Sequence, residues 1–170
     1  PLDLEWDLKA FRNEKSISYE NKYTEIYFEH KEGKVDYAGL GAKEEETLEK
    51  PTFIAFKQHF FTSILVSKTP FEKAQLVSTN LMNDEKVDTT FTKSFKANLP
   101  LAFTNGELDY KLNWYLGPSD YKTLASYDQN LEKIITLGWG IIGWINRFIF
   151  VPLFGFLGSY IAYGIAIILF

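Results

Sequence analysis

The chain has 170 residues, a net charge of −4 at pH 7 and a mean hydropathy of −0.15, values that are ordinary for a soluble domain. These averages hide two different parts. Residues 1–133 carry 17 of the 18 Lys and Arg residues and all 22 Asp and Glu residues, whereas residues 134–170 carry only Arg147. The absence of a basic cluster argues against a nucleic-acid partner. The absence of Cys excludes a disulfide framework, a thiol nucleophile and a Cys-ligated metal.

Alternating apolar and polar residues run through three stretches of the polar part, at 2–10, 87–99 and 108–116. A period of two residues is typical of strands that have one buried and one exposed face. Lys93 interrupts the second stretch, because it falls on the apolar positions. Residues 53–67 are the least polar stretch and predict the most buried strand or strand pair.

Turn residues separate these runs. Asn105-Gly106 is a strong hairpin signal, because both residues tolerate a positive φ. Glu32-Gly33 and residues 83–85 predict two further turns between strands. Short antiparallel strands at this spacing predict a mainly β fold, an antiparallel β-sandwich over residues 1–117. The acidic run Lys43–Glu46 is interpreted as a solvated loop.

A change of pattern near residue 117 predicts helices. Gly117-Pro118 resembles a helix start, since proline at the first helical position loses no needed hydrogen bond. Apolar residues then recur at spacings of three and four, so residues 118–137 are predicted to form one or two short closing helices.

The C-terminal part is apolar enough to meet a membrane. Phe148–Phe170 is a charge-free run of 23 residues, long enough to span a bilayer core of about 30 Å. Pro152 and the glycines that follow it disfavour one straight helix. We therefore predict an amphipathic interfacial helix over residues 138–158 and the start of a transmembrane helix, which continues beyond the sequence, over residues 159–170. The predicted hinge between them is Gly158-Ser159, and the residues predicted at the membrane interface are Trp139, Trp144, Arg147, Phe148, Phe154 and Phe156.

Four segments resemble the YidC membrane protein insertases. These are residues 53–62, 115–124, 137–147 and 163–169, which include a Gly-Pro turn, a Gly-Trp pair and a Tyr-Gly pair in that order. The resemblance covers nearly the whole chain. It implies that residues 1–117 are part of a periplasmic β-supersandwich, and that Tyr163-Gly164 opens the first core transmembrane helix.

The same resemblance implies a function without covalent chemistry. Such a protein inserts and folds bacterial inner-membrane proteins, alone or with the Sec translocon. The implied partners are the lipid bilayer, nascent membrane-protein clients, and the Sec translocon with its accessory subunits. Residues 1–137 would lie on the periplasmic side as a scaffold and membrane anchor. The hydrophilic groove in which the family works would lie beyond Phe170.

The residues themselves leave two other hypotheses open. The first is a tail-anchored β-sandwich module that binds a peptide or a glycan. The second, less favoured, is a mutarotase-like sugar-active domain, for which Glu20 or Glu29 could pair with His30 or His59. No nucleophile motif, phosphate-binding loop or metal-ligand spacing is present in the sequence, so we predict no enzyme activity and no cofactor.

Overall fold

A computed structural model describes residues 2–30, 33–103, 106–138 and 140–160. The chain forms two compact units, residues 1–134 and 135–170. Within the described residues, the first unit contains nine strands: β1 (Leu2–Phe11), β2 (Glu25–Glu29), β3 (Val35–Ala38), β4 (Lys43–Glu49), β5 (Phe53–Lys57), β6 (Phe61–Ser67), β7 (Lys73–Asn80), β8 (Phe91–Leu101) and β9 (Leu112–Pro118). Its helices are α1 (Ile17–Lys22), α2 (Tyr121–Ala125) and a 3₁₀ turn (Leu131–Ile134).

The strands form two antiparallel sheets that pack face to face. The first sheet has the order β1-β8-β7-β4 and the second the order β3-β2-β5-β6-β9. Fifteen buried residues form the core between the sheets. Trp6 stacks on Phe56 of the opposite sheet with ring centroids 3.8 Å apart, and Phe95 packs on the same ring at 5.2 Å. The predicted mainly β fold, a sandwich followed by C-terminal helices, is confirmed.

Two inner strands of the five-stranded sheet, β2 and β5, are buried on both faces. In β5, Ile54 and Phe56 point into the core between the sheets, whereas Phe53 and Ala55 point the opposite way and are also fully buried. The residues after β9 fold back over this second face. Tyr127 packs edge-on against Tyr115, and Leu124, Leu131 and Ile134 of this returning segment are all 0% exposed. Residues 53–67, the least polar stretch of residues 1–133, therefore form the predicted strand pair, β5 and β6.

Two turn predictions agree with the strand pairing, and the third falls partly outside the described residues. Gly33, with φ of +73°, lies between the paired strands β2 and β3, although Glu32 lies outside the described residues, and residues 83–85 lie between the paired strands β7 and β8. Asn105 also lies outside the described residues, whereas Gly106 has φ of +82° in a turn. The described strands before and after this pair, β8 and β9, belong to different sheets, so they do not pair with each other. A local turn signal does not encode which strand the next one joins.

Two predicted boundaries and one predicted loop are corrected by the structure. β8 starts at Phe91, because residues before it form a turn in which the Asp88 carboxylate accepts the backbone N–H groups of Asn83 and Asp84. Val87 in that turn is 74% exposed. Pro118 ends β9 instead of starting a helix, and Asp120 caps α2 by accepting the N–H of Thr123 at 2.8 Å. The acidic run Lys43–Glu46 is part of edge strand β4, where it pairs with β7.

Lys93 links separate segments of the first unit. A β-bulge places two residues of β8, Thr92 and Lys93, opposite Ala10, and both are buried. The Lys93 ammonium donates to the backbone carbonyl of Thr24 at 2.6 Å and to that of Gly39. Burial lowers the pKa of Lys93 to about 8, although Glu25 and Glu44 partly oppose this effect. The interruption in the sequence alternation is therefore an inward-facing lysine.

We predict that Lys93 makes the chain more stable as the pH rises above 8. Between pH 8 and about 10, the folded state releases the Lys93 proton while the unfolded state retains it, so the free energy of unfolding rises with pH. Denaturant titrations of the detergent-solubilised chain should show this rise, and Lys93→Met should reduce it. A smaller rise should remain, because burial also lowers the pKa of Lys57. The matched control is Lys96→Met, since Lys96 lies on the same strand but pairs with Asp7 at the surface. Parallel pH profiles for the native chain and Lys93→Met would contradict the prediction.

Candidate membrane-interface segment

The second unit contains a continuous helical segment with an irregular centre. It consists of α3 (Gly140–Ile145), a π turn (Asn146–Phe150) and α4 (Val151–Tyr160). Pro152 lacks an N–H, and its ring crowds the carbonyl four residues earlier, at Phe148. A π turn directly before a proline relieves this conflict by widening the helix. The proline that disfavoured a straight helix in the sequence is therefore accommodated without a break.

The residues before α3 contact the helical segment at Gly143 and Asn146. The Asn146 amide donates to the Leu137 carbonyl at 2.6 Å. A Cβ on Gly143 would lie only 2.5 Å from the Gly138 carbonyl oxygen, and Gly138 itself has φ of +98°. Gly143 and Asn146 therefore both make a contact inside the second unit.

The predicted interfacial side chains are largely exposed where the structure describes them. Trp144 is 58% exposed, Phe148 60% and Phe156 64%. The Trp144 and Phe148 rings contact each other with centroids 5.5 Å apart. Arg147 is exposed between them in the sequence, and Phe154, which stacks on Phe150 at 6.2 Å, is half-buried. Trp139 lies outside the described residues.

The end of the segment carries the remaining predictions. The backbone is helical through Gly158 and Ser159 to Tyr160, and the hinge assigned to this pair stays a prediction. Tyr163 and Gly164 lie outside the described residues. Among the residues that the structure describes, no helix combines the length and the apolar character that a bilayer crossing needs.

The carboxylate and histidine pairs considered for sugar chemistry do not form. Glu20 accepts the backbone N–H groups of Asn13 and Glu14, which is a structural role. His59 lies between the Tyr23 and Phe60 rings and contacts Glu14 at 2.6 Å instead. His30 lies 3.9 Å from Asp36 at the surface. No group of three or more His, Asp or Glu residues able to hold a metal ion occurs in the described part of the chain.

A groove that the sequence did not reveal lies between the five-stranded sheet and the returning segment. Two adjoining cavities of about 260 and 300 Å³ share Val66 and Gln129 as walls. In the first, the Glu29 carboxylate accepts hydrogen bonds from the Asn130 amide at 2.7 Å and from the Thr52 hydroxyl. The second is lined by aromatic residues, among them Trp114, which is 50% exposed. Glu29 and Asn130 are 101 residues apart, so no local pattern could have paired them.

Comparison with known proteins identifies the family. Residues 2–152 match the family described as the YidC periplasmic domain. The chain belongs to the YidC family. Curated relatives named "Membrane protein insertase YidC" occur in Amoebophilus asiaticus (33% identity over 97% of this chain), Porphyromonas gingivalis strain W83 (32% over 98%) and Phocaeicola vulgatus (29% over 99%). The chain spans 26–28% of the length of these relatives.

Membership in the YidC family gives the two units a common context. The matched region begins in β1 and ends at residue 152, so it contains the whole described sandwich together with α3 and the π turn. The resemblance found in the sequence is therefore confirmed at the level of the family. The family match includes α3 and the π turn as well as the sandwich, so both belong to one region of the family.

We predict that Gly143→Ala breaks the contact of Leu137 and Gly138 with the helical segment. Alanine in place of glycine inside a helix ordinarily gains about 1 kcal/mol. Here the added Cβ collides with the Gly138 carbonyl, so the Asn146–Leu137 hydrogen bond should be lost despite that gain. NMR of the whole chain in micelles would follow the Asn146 side-chain amide. Asn146→Ala provides a reference for the loosened state, and an unchanged amide signal in Gly143→Ala would contradict the prediction.

Proposed function

We propose that this chain is the periplasmic domain and the start of the membrane part of a bacterial inner-membrane protein insertase. Residues 1–137 lie on the periplasmic side, residues 138–158 lie along the membrane surface, and residues 159–170 begin a transmembrane helix. The chain serves as a scaffold and membrane anchor for the insertase core. Its clients are nascent inner-membrane proteins, and the Sec translocon with its accessory subunits contacts its periplasmic surface.

The observation that carries this proposal is the family match across the boundary of the two units. The distribution of charge agrees with it. All Asp and Glu residues lie before residue 134, and a single Arg accompanies the exposed aromatic side chains after it. A helical surface that carries Trp, Phe and one Arg but no acidic residue is typical of the boundary between lipid headgroups and acyl chains.

The mechanism places the chemistry of insertion outside this chain. A client's polar loop is costly to move through lipid, because no water is there to satisfy its backbone and side-chain groups. The insertase core lowers that cost, while the apolar helix of the client moves into the lipid. A rigid sandwich fixed to the membrane surface by residues 138–158 holds the core's periplasmic side in position.

We predict that Phe148→Ser weakens membrane binding about tenfold, since a buried Phe side chain contributes roughly 1.5–3 kcal/mol. Flotation of the whole chain with phospholipid vesicles measures the bound fraction. Phe103→Ser is the matched control, because Phe103 is 53% exposed but lies in the sandwich unit. The same loss in both variants, or a loss in neither, would contradict the anchoring role of the helix.

A chimera tests the function of the whole protein. The corresponding residues of the Porphyromonas gingivalis relative are replaced by this chain, and the chimera is expressed in cells depleted of their own insertase. We expect client insertion to be restored, and to fail when residues 135–170 are replaced by a polar linker of equal length. A chimera that reaches the membrane intact but inserts no client would contradict the proposal.

A second candidate function, recognition of a peptide or glycan by the sandwich, is supported by one observation, the groove beside Glu29 and Trp114. It combines a buried carboxylate with exposed aromatic rings, a lining typical of small-ligand sites. Titration calorimetry with panels of oligosaccharides and extended peptides would test it. Heat that disappears in Trp114→Ala would support it, and no heat with either panel would exclude both ligand classes.

A further inference from the structure

Arg147 is a cation with no acidic residue in its own unit. Residues 135–170 contain no Asp or Glu, and Arg147 is their only charged side chain. Its guanidinium group has five N–H donors and no acceptor, so it needs oxygen acceptors from elsewhere. Within the described residues, Arg147 makes no hydrogen bond and no ion pair.

The surroundings of Arg147 are apolar on one side and exposed on the other. Trp144 and Phe148 are four residues apart, so they share a helix face, and their rings contact each other at 5.5 Å. The preceding residue, Asn146, is already bonded to the Leu137 carbonyl and is not free to bind a ligand. Arg147 is therefore an exposed residue of the π turn, next to Phe148 in the sequence and three residues after Trp144, and both aromatic residues are exposed as well.

We propose that Arg147 binds the phosphate of a phospholipid headgroup, with Trp144 and Phe148 inserted beside the adjoining acyl chains. A guanidinium matches two phosphate oxygens with two parallel N–H groups, which a lysine ammonium does not. The aromatic pair selects a lipid over a free phosphate ion, because it contributes only where apolar chains adjoin the phosphate. This inference rests on the proposed interfacial position of residues 138–158.

The composition of the chain makes a direct test simple. The sequence contains only two arginines, Arg12 and Arg147. Labelling the guanidino carbon of arginine with ¹³C therefore gives two signals from the whole chain in vesicles of phosphatidylethanolamine and phosphatidylglycerol. Solid-state NMR then measures ¹³C–³¹P dipolar coupling to the lipid phosphorus. Arg12 is the internal control, because its guanidinium donates to the backbone carbonyls of Glu14, at 2.7 Å, and Lys15. Arg12→Lys assigns the two signals.

The expected result is coupling of the Arg147 carbon to lipid phosphorus and none for Arg12. A chain that floats with the vesicles but shows no coupling at Arg147 would overturn this inference and leave the interfacial helix intact. A chain that does not float would instead overturn the proposed function itself. Coupling that appears equally with inorganic phosphate in maltoside micelles would exclude the lipid as the selected source.

Arg147→Lys separates a phosphate site from a point-charge anchor. Lysine keeps the charge and can also extend its ammonium to water, so an anchor alone would retain its vesicle partition coefficient. Loss of the two-pronged contact should lower that coefficient at least threefold, and Arg147→Gln should lower it further. Equal partition of the native chain and Arg147→Lys would overturn the inference.

Discussion

The structure depends on a five-stranded sheet whose strands β2 and β5 are buried on both faces. Every residue of β2 and β5 is buried, which a two-layer sandwich with one wet face does not require. One face is covered by the four-stranded sheet, and the other needs a separate cover. Residues 121–134 supply it with three fully buried side chains, Leu124, Leu131 and Ile134. Each of these contributes roughly 1.5–3 kcal/mol by burial. The returning segment is therefore part of the first unit's core.

The second unit is organised by different forces. Its helical segment has large aromatic side chains that are exposed. Among its described internal contacts, Leu137 bonds to Asn146 and Gly138 lies against Gly143. The π turn absorbs Pro152 without ending the helix. In water, such a surface is unfavourable. At a membrane boundary the same surface is stabilising, and the single guanidinium has phosphate oxygens within reach. One physical setting thus accounts for both the missing charges and the one that is present.

Sequence reasoning predicted what depends on local pattern. The alternation identified β1, β8 and β9, and the apolar stretch at 53–67 identified the buried strand pair β5 and β6. It failed where the outcome depends on distant partners. The turn signal at Asn105-Gly106 could not indicate that β8 and β9, the strands before and after it, belong to different sheets. Lys93 breaks the alternation, and the pattern alone does not explain why. The reason is the buried carbonyl of Thr24, 69 residues away, to which the inward-facing lysine donates.

The candidate site divides in the same way. Composition was enough to predict exposed Trp144 and Phe148 on a helix that lacks acidic residues. It was not enough to assign different roles to Asn146 and Arg147, which are adjacent polar residues in an apolar segment. Only the geometry shows that Asn146 bonds within the unit while Arg147 bonds to none of the described residues. The groove beside Glu29 depends on Asn130, which has φ of +60° in a loop whose course the sequence does not reveal.

The proposed position of residues 138–158 along the membrane surface can be measured directly. Because the chain has no Cys, a single introduced cysteine at each exposed position from Ile142 to Phe156 can carry a nitroxide label. Its accessibility to oxygen and to a water-soluble nickel chelate in vesicles then reports its depth. We expect the depth of the label to oscillate with the helical period and to stay within about 5–10 Å of the headgroup boundary. A steady change of depth along the segment, or labels that remain fully in water, would contradict it.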